Sequence, residues 1–301
     1  MPIADLLKLF RVKPGKTVRL SDFDPGWAQT DQLADLGKKK VRERAEDLLA
    51  DCLNELKEAQ ELLYADNRHA LLIILQAMDA AGKDGTIKHV MSGVNPQGCQ
   101  VSSFKIPSAE ELDHTFLWRY TARLPERGCI GIFNRSYYEE VLVVRVHPET
   151  LERQNLPPGK RGKSFWNARY DDINALEQHL VRNGTTVLKF FLNISREEQR
   201  RRFLDRLNDP DKHWKFSPAD LHERGYWDDY IDAYERMLSA TSTDHAPWYV
   251  IPADNKWVTR ASIAYLIAST IRSLDLAFPS LTAERKQLME DARRQLADEG
   301  Q

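Results

Sequence analysis

The sequence has little that would tie it to an oxidising compartment, a membrane or a nucleic acid. Only three of its 301 residues are cysteines, Cys52, Cys99 and Cys129, odd in number and far apart. With no C-x-x-C spacing, they indicate neither a disulfide framework nor a zinc site, and they fit a reducing cytosol. No stretch approaches the ~18 apolar residues of a membrane span, and the first ten residues lack the long apolar core of a secretory signal. The formal net charge is −2, so no overall basicity argues for a nucleic-acid partner. A polyanion would have to meet a local concentration of Lys and Arg. There is no G-x-S-x-G elbow, no H-E-x-x-H and no glycine-rich dinucleotide fingerprint. The eight histidines show no metal-ligand spacing and read as structural or surface residues.

What is present begins at residues 71–86, Leu-Leu-Ile-Ile-Leu-Gln-Ala-Met-Asp-Ala-Ala-Gly-Lys-Asp-Gly-Thr. An apolar run breaks into small residues around a lysine, and a helix-compatible segment follows. This is the construction of a phosphate-binding loop: a buried strand delivers backbone N–H groups, Lys83 adds a mobile cation, and a helix start faces the anion. The match to G-x-x-x-x-G-K-[ST] is imperfect. Ala77 holds the first glycine position, Asp84 replaces the hydroxyl residue after the lysine, and Thr86 supplies a hydroxyl two residues late. Ala80, Ala81, Gly82, Asp84, Gly85 and Thr86 are the candidate phosphate cradle. An ordinary strand-to-helix turn is the plainer alternative.

Apolar runs at 69–75, 100–105, 128–133, 186–192 and 248–251 alternate with helical patterns, the signature of a mostly parallel sheet covered on both faces. The expected fold is α/β, a P-loop kinase-like three-layer sandwich with a mostly parallel five-stranded sheet and a helical lid. Residues 1–65 read as an arm and a long helix. The helix rests on a stripe from Leu33 and Leu36 through Val41, Cys52 and Leu56 to Leu63. Residues 66–275 read as the core, with the lid at about 196–225, and 276–301 as a helical tail. Ser108, Ser136 and Ser195, each with Glu three residues later, have capping-box spacing, and Ser217-Pro218 marks another helix start. In open parallel sheets ligands sit beyond the carboxyl ends of the strands, so the loops after the first, third and fourth strands should converge on one crevice.

Asp79 lies inside the phosphate loop, where a carboxylate repels phosphate unless a cation intervenes, which makes it the candidate for organising Mg²⁺. The third strand ends in Asn134-Arg135, with Arg135 suited to forked contacts with phosphate oxygens. Glu139 divides evenly between completing the capping box of Ser136 and positioning an acceptor. On the segment 196–215, Phe203, Leu204 and Leu207 can face a core, while Arg202 and Arg206 share another face one turn apart. Closure of such a basic lid would bring arginines over a transferring phosphoryl group. Pairing with Glu197, Glu198 and Asp205 on a solvated face is the competing reading.

Taken together the segments resemble polyphosphate kinase family 2. The likeness spans about residues 30 to 273 and rests on Met-Asp-Ala-Ala-Gly-Lys at 78–83, Phe-Lys-Ile-Pro at 104–107 and Phe-Leu-Trp-Arg at 116–119. It continues with Phe-Asn-Arg-Ser-Tyr-Tyr at 133–138, Trp-Lys-Phe-Ser at 214–217 and the long block at 241–257. The resemblance implies transfer of phosphoryl groups between inorganic polyphosphate and nucleotides, with AMP giving ADP and ADP giving ATP. It also implies a core related to thymidylate kinases, a dependence on Mg²⁺ with Mn²⁺ as an alternative, and a homo-oligomer, a dimer or tetramer, in the cytoplasm. By position, Asp79 and Lys83 match the loop acid and lysine, and Arg135 matches the arginine after the third core strand. Arg201, Arg202 and Arg206 match the basic lid helix, with Lys212 and Lys215 following it. Many members have Asp where this chain has Asn134, and many diphosphate-specific members have Asn where it has Glu139. That combination looks like the class accepting both mono- and diphosphates. Residues 92–96 and 104–107 are the candidate base pocket, so Asn95, Pro96, Lys105 and Asn134 are the candidate nucleotide contacts, adenine and guanine being equally allowed. An ATP-dependent nucleoside monophosphate kinase, or a non-catalytic polyanion-binding protein with a degraded loop, are the rivals.

Overall fold

The computed structural model describes residues 8–28 and 37–299. Leu33 and Leu36, at the head of the long apolar stripe, lie outside them, as do residues 1–7 and the last two residues. Among the described residues five strands form one sheet, β1 (Ala70–Ala77), β2 (Cys99–Ser103), β3 (Ile130–Asn134), β4 (Thr185–Asn193) and β5 (Trp248–Pro252). Each falls within two residues of an apolar run read from the sequence. The spatial order is β2-β3-β1-β4-β5 and every pairing is parallel. β1 is central and buried nearly throughout, which is why its sequence is an unbroken apolar run rather than an alternating one. β2, at the edge, is mostly exposed.

Eight helices matter for the site: α1 (Gly37–Asp66), α2 (Lys83–Val90), α3 (Lys163–Arg182), α4 (Arg196–Asn208), α5 (Pro218–Gly225), α6 (Trp227–Thr241), α7 (Lys256–Arg272) and α8 (Ala283–Asp298). α7 packs against both α1 and α2, and α3 packs against α6, so the sheet lies between two helical layers. Val41, Cys52, Leu56 and Leu63 of α1 are buried, and Arg272 ties α7 to Glu55 at 2.9 Å. Residues 10–12 run along the free edge of β5: Val12 N donates to Trp248 O and Val250 N to Phe10 O. That pairing closes an edge otherwise open to a foreign strand. α8 buries none of its residues. No described helix is long and apolar enough to cross a membrane.

One polar cluster sits inside the core. Lys189 of β4 and Glu177 of α3 are both fully buried and 2.6 Å apart. Lys189 also donates to the Thr241 carbonyl at 2.6 Å and the Tyr138 hydroxyl at 2.9 Å. Tyr137 and Tyr138 both donate to Glu177 Oε1. Burial lowers the pKa of Lys189, with Glu177 opposing that shift. The cluster matters for the site because the same two tyrosines begin the 3-10 turn Tyr137–Val141, which carries Glu139.

Candidate active site

Because all five strands are parallel, their carboxyl ends open on one side, and the loop between β1 and α2 lies at the middle of it. Gly82 adopts φ 105°, left-handed backbone that suits glycine, and a Cβ there would meet Arg202 Nη1 at 3.5 Å. Ala80 is also left-handed, at φ 61°, a conformation that costs an L residue about 1–2 kcal/mol. Arg202 holds this loop in place. All of its donors are engaged: Nη1 on the carbonyls of Ala80 and Ala81, Nη2 on those of Ala253 and Asp254, Nε on Glu198. The sequence reading of Arg202 as a phosphate ligand is therefore corrected. A buried guanidinium with every N–H occupied ties the phosphate loop to the segment after β5.

Lys83 opens α2 and donates to the Ala77 carbonyl at 2.8 Å. Burial, and after it the neighbouring Arg135 cation, lowers its pKa to about 8. Thr86 N–H returns to the Gly82 carbonyl as part of α2, and the Thr86 side chain is buried. Asp84 instead faces β3, where Asn134 Nδ2 donates to Asp84 Oδ1 at 2.7 Å. Asn134 Oδ1 is buried without a partner.

Arg135, at φ 65°, links the loop to β3. Its Nη2 donates to Asp79 Oδ1 at 3.0 Å and its Nη1 to Glu139 Oε2 at 3.3 Å. Glu139 above all, then Asp79, raises the Arg135 pKa against the effect of burial. The capping-box reading of Glu139 is overturned: Ser136 Oγ accepts from Tyr138 N in a 3-10 turn. The Glu139 carboxylate instead accepts from Gln76 Nε2 at 3.0 Å, so both of its oxygens are held. Gln76 is wholly buried at the end of β1, and its Oε1 has no partner. Sequence reasoning missed it. The only signal was one amide within an otherwise apolar run. Replacing Gln76 with Leu is expected to lower kcat/KM about tenfold, the loss of one charge-assisted hydrogen bond, in a steady-state assay.

Met78, Asp79, Arg135 and Glu139 share a shallow cleft with Gln199, Asp220, Glu223 and Arg224. The last four come from α4 and α5. Burial, and after it the Asp79 carboxylate, raises the pKa of Asp220. Four carboxylates against two guanidiniums give this cleft an acidic balance, suited to a cation accompanying a phosphate.

The other basic lid residues are engaged locally. Arg201 pairs with Glu198 at 2.5 Å and Asp205 at 3.2 Å, Arg206 with Asp220 at 3.3 Å, and Lys212 with Asp209 at 2.6 Å. Lys215 lies over the exposed Trp214 ring. Of the apolar lid positions only Phe203 is buried, while Leu204 and Leu207 are exposed, contrary to expectation. Asn95 and Pro96 do not reach the crevice. They form the turn before β2, at the amino end of the sheet, where the Asn95 side chain caps Gln97 N and Gly98 packs on Gln60 and Tyr64 of α1. Lys105 is at the right end of β2, and its carbonyl accepts from Arg119.

Residues 38–278 match the family described as Polyphosphate kinase 2 (PPK2). The chain belongs to that family. A protein of Rhodopseudomonas palustris named ADP-polyphosphate phosphotransferase is 57% identical over 96% of this chain and 98% of its own. A Meiothermus ruber protein named AMP/ADP-polyphosphate phosphotransferase is 44% identical over 94% of this chain and 100% of its own. The crystal structure of Polyphosphate Kinase 2 from Arthrobacter aurescens superposes with a TM-score of 0.82 at 40% identity, covering 94% of this chain and 96% of that one. The parallel sheet of this polyphosphate kinase 2 chain and its phosphate loop are thus a P-loop kinase-like fold in a phosphotransferase family.

Proposed function

We propose that this protein transfers the terminal phosphoryl group of inorganic polyphosphate to ADP and to AMP, reversibly, as a homo-oligomer in the cytoplasm. The observation that carries the reading is the junction of the phosphate loop with Arg135, which meets Asp79 on one side and Glu139 on the other. A nucleotide phosphate oxygen is already anionic, so the attacking group needs no general base. What remains is alignment and charge neutralisation. Backbone amides of the loop and Lys83 hold the donor's terminal phosphoryl group. Arg135 neutralises charge on the oxygens between donor and acceptor, and Glu139, fixed by Gln76, sets the position of the acceptor.

Among the described residues no trio of carboxylate, His or Cys groups closes a cage around a metal. The chemistry of the donors fits Mg²⁺ or Mn²⁺ nonetheless, because such ions take one or two carboxylates and complete their shell with water and phosphate oxygens. Asp79 Oδ1 is held by Arg135, and the carboxylate is part-exposed in the cleft, which makes Asp79 the residue to hold the ion. The bound ion would supply neutralisation of phosphate charge. Removing divalent ions with a chelator is expected to abolish turnover, and Asp79→Asn to raise the half-saturating Mg²⁺ concentration about tenfold, as read from a metal titration.

Incubation with polyphosphate and Mg²⁺, without ATP, tests the reading directly. AMP should yield ADP and then ATP, and ADP should yield ATP. No product from either acceptor rejects it, whereas product only with ATP as donor favours a nucleoside monophosphate kinase.

A further inference from the structure

Several cations near the phosphate loop are tied to carboxylates or backbone carbonyls, as Arg135, Arg202 and Lys83 are. The side chains of Lys256 and Arg260, one turn apart at the start of α7, make no hydrogen bond or ion pair with any described residue. Their place is fixed by two contacts. α7 packs against α2, the helix that begins at Lys83, and both start at the carboxyl end of the sheet. Arg202 spans from the carbonyls of Ala80 and Ala81 to those of Ala253 and Asp254, so the segment before Lys256 lies one guanidinium away from the phosphate loop.

The surroundings neutralise their charge only in part. Glu198 is committed to Arg201 and Arg202, and Asp254 Oδ1 accepts from Ser195 N. The first turn of α7 has no acidic residue. Partial burial, then Arg202, then Arg260, lowers the Lys256 pKa, and partial burial followed by Arg202 lowers that of Arg260. Glu198 opposes the shift of Lys256 without pairing with it, so like charges remain crowded here, at a cost that an anion would relieve. Lys256 is exposed and Arg260 part-exposed, so an anion can reach both.

We infer that Lys256 and Arg260 form an outer subsite for the polyphosphate chain, binding phosphate units beyond those held in the loop. The inference rests on the donor being polyphosphate. A nucleoside triphosphate bound through its terminal phosphates presents an uncharged nucleoside beyond them, which gains nothing from two unpaired cations. A polyphosphate goes on carrying about one negative charge per unit. The donor chain thus leaves the loop past Arg202 and across the first turn of α7.

Chain length provides the test. Wild type, Lys256→Ala/Arg260→Ala and the charge-keeping Lys256→Arg/Arg260→Lys would be assayed with ADP and either long-chain polyphosphate or tripolyphosphate. In the alanine variant KM for the long chain should rise about tenfold, the combined worth of two exposed charge contacts. KM for tripolyphosphate should change less than twofold. The charge-keeping variant should restore the long-chain KM, and high salt should narrow the difference between wild type and alanine variant. An equal rise with both donors, or no rise with the long chain, overturns the subsite. Failure of wild type itself to use polyphosphate overturns the proposed function, and is seen before any substitution is made.

Discussion

Lys83→Ala is expected to lower turnover at least ~10²-fold, the scale on which removing one charge-stabilising donor from a water-excluded site acts. The ammonium is at the start of α2, donates to the Ala77 carbonyl and is half-buried beside Arg135. Arg135 beside it is committed to Asp79 and Glu139, and Arg202 has spent its donors on Glu198 and backbone carbonyls, so neither replaces the lost ammonium. The same group sets a pH dependence. Burial and the Arg135 charge lower its pKa to about 8. In the proposed function the charged form is the one that grips phosphate, so kcat/KM, which reports the free enzyme, should hold below that value and fall as pH rises through it. The alanine variant should lose this basic limb along with its rate. A pH profile of kcat/KM for wild type and variant checks both statements.

The largest effect on stability is expected from Lys189→Ala. The substitution leaves Glu177 fully buried without its counter-ion and strips the Thr241 carbonyl of a donor. Breaking a buried pair from one side costs about 3–5 kcal/mol, a large part of the stability of any single domain. Replacing both partners, Lys189→Met with Glu177→Leu, should recover part of that loss, since no isolated charge is left behind although the Tyr137 and Tyr138 hydroxyls and the Thr241 carbonyl lose their partners. Denaturant melts of the single and double variants measure the difference. The hydroxyls of Tyr137 and Tyr138 end on Glu177, and these residues begin the turn bearing Glu139. A stable double variant with reduced turnover would therefore show that the cluster also keeps Glu139 in place.

The sheet was legible because burial on both faces forces an apolar run, and five such runs separated by helical patterns leave few other arrangements. The phosphate loop was legible because small residues around Lys83 follow from the close approach that backbone amides need. Glu139 was ambiguous because a capping box and a positioned carboxylate require the same spacing. Only the 3-10 geometry after Ser136, and the amide of Gln76 arriving from another strand, separate them. Arg202 was misread for a similar reason. A string of arginines on a helix looks alike whether each faces phosphate, carboxylate or carbonyl, and what Arg202 faces depends on loops 122 and 51 residues away. Asn95 and Pro96 lie beside the motif in sequence but at the opposite end of the sheet, because α2 carries the chain back across it.

The order of residues by itself determined the local pieces: the strands, the loop at residues 77–86, the helix starts at Ser108, Ser195 and Ser217, and the types of residue available for phosphate chemistry. Tertiary structure decided which cations are free and which are bound. Charge pairing and hydrogen bonding are settled by distance in space, and the chain records only distance along itself. So Arg202 became a brace, Gln76 became a support for Glu139, and Lys256 and Arg260, in a helix far along the sequence, came to stand across Arg202 from the phosphate loop with no ion pair among the described residues.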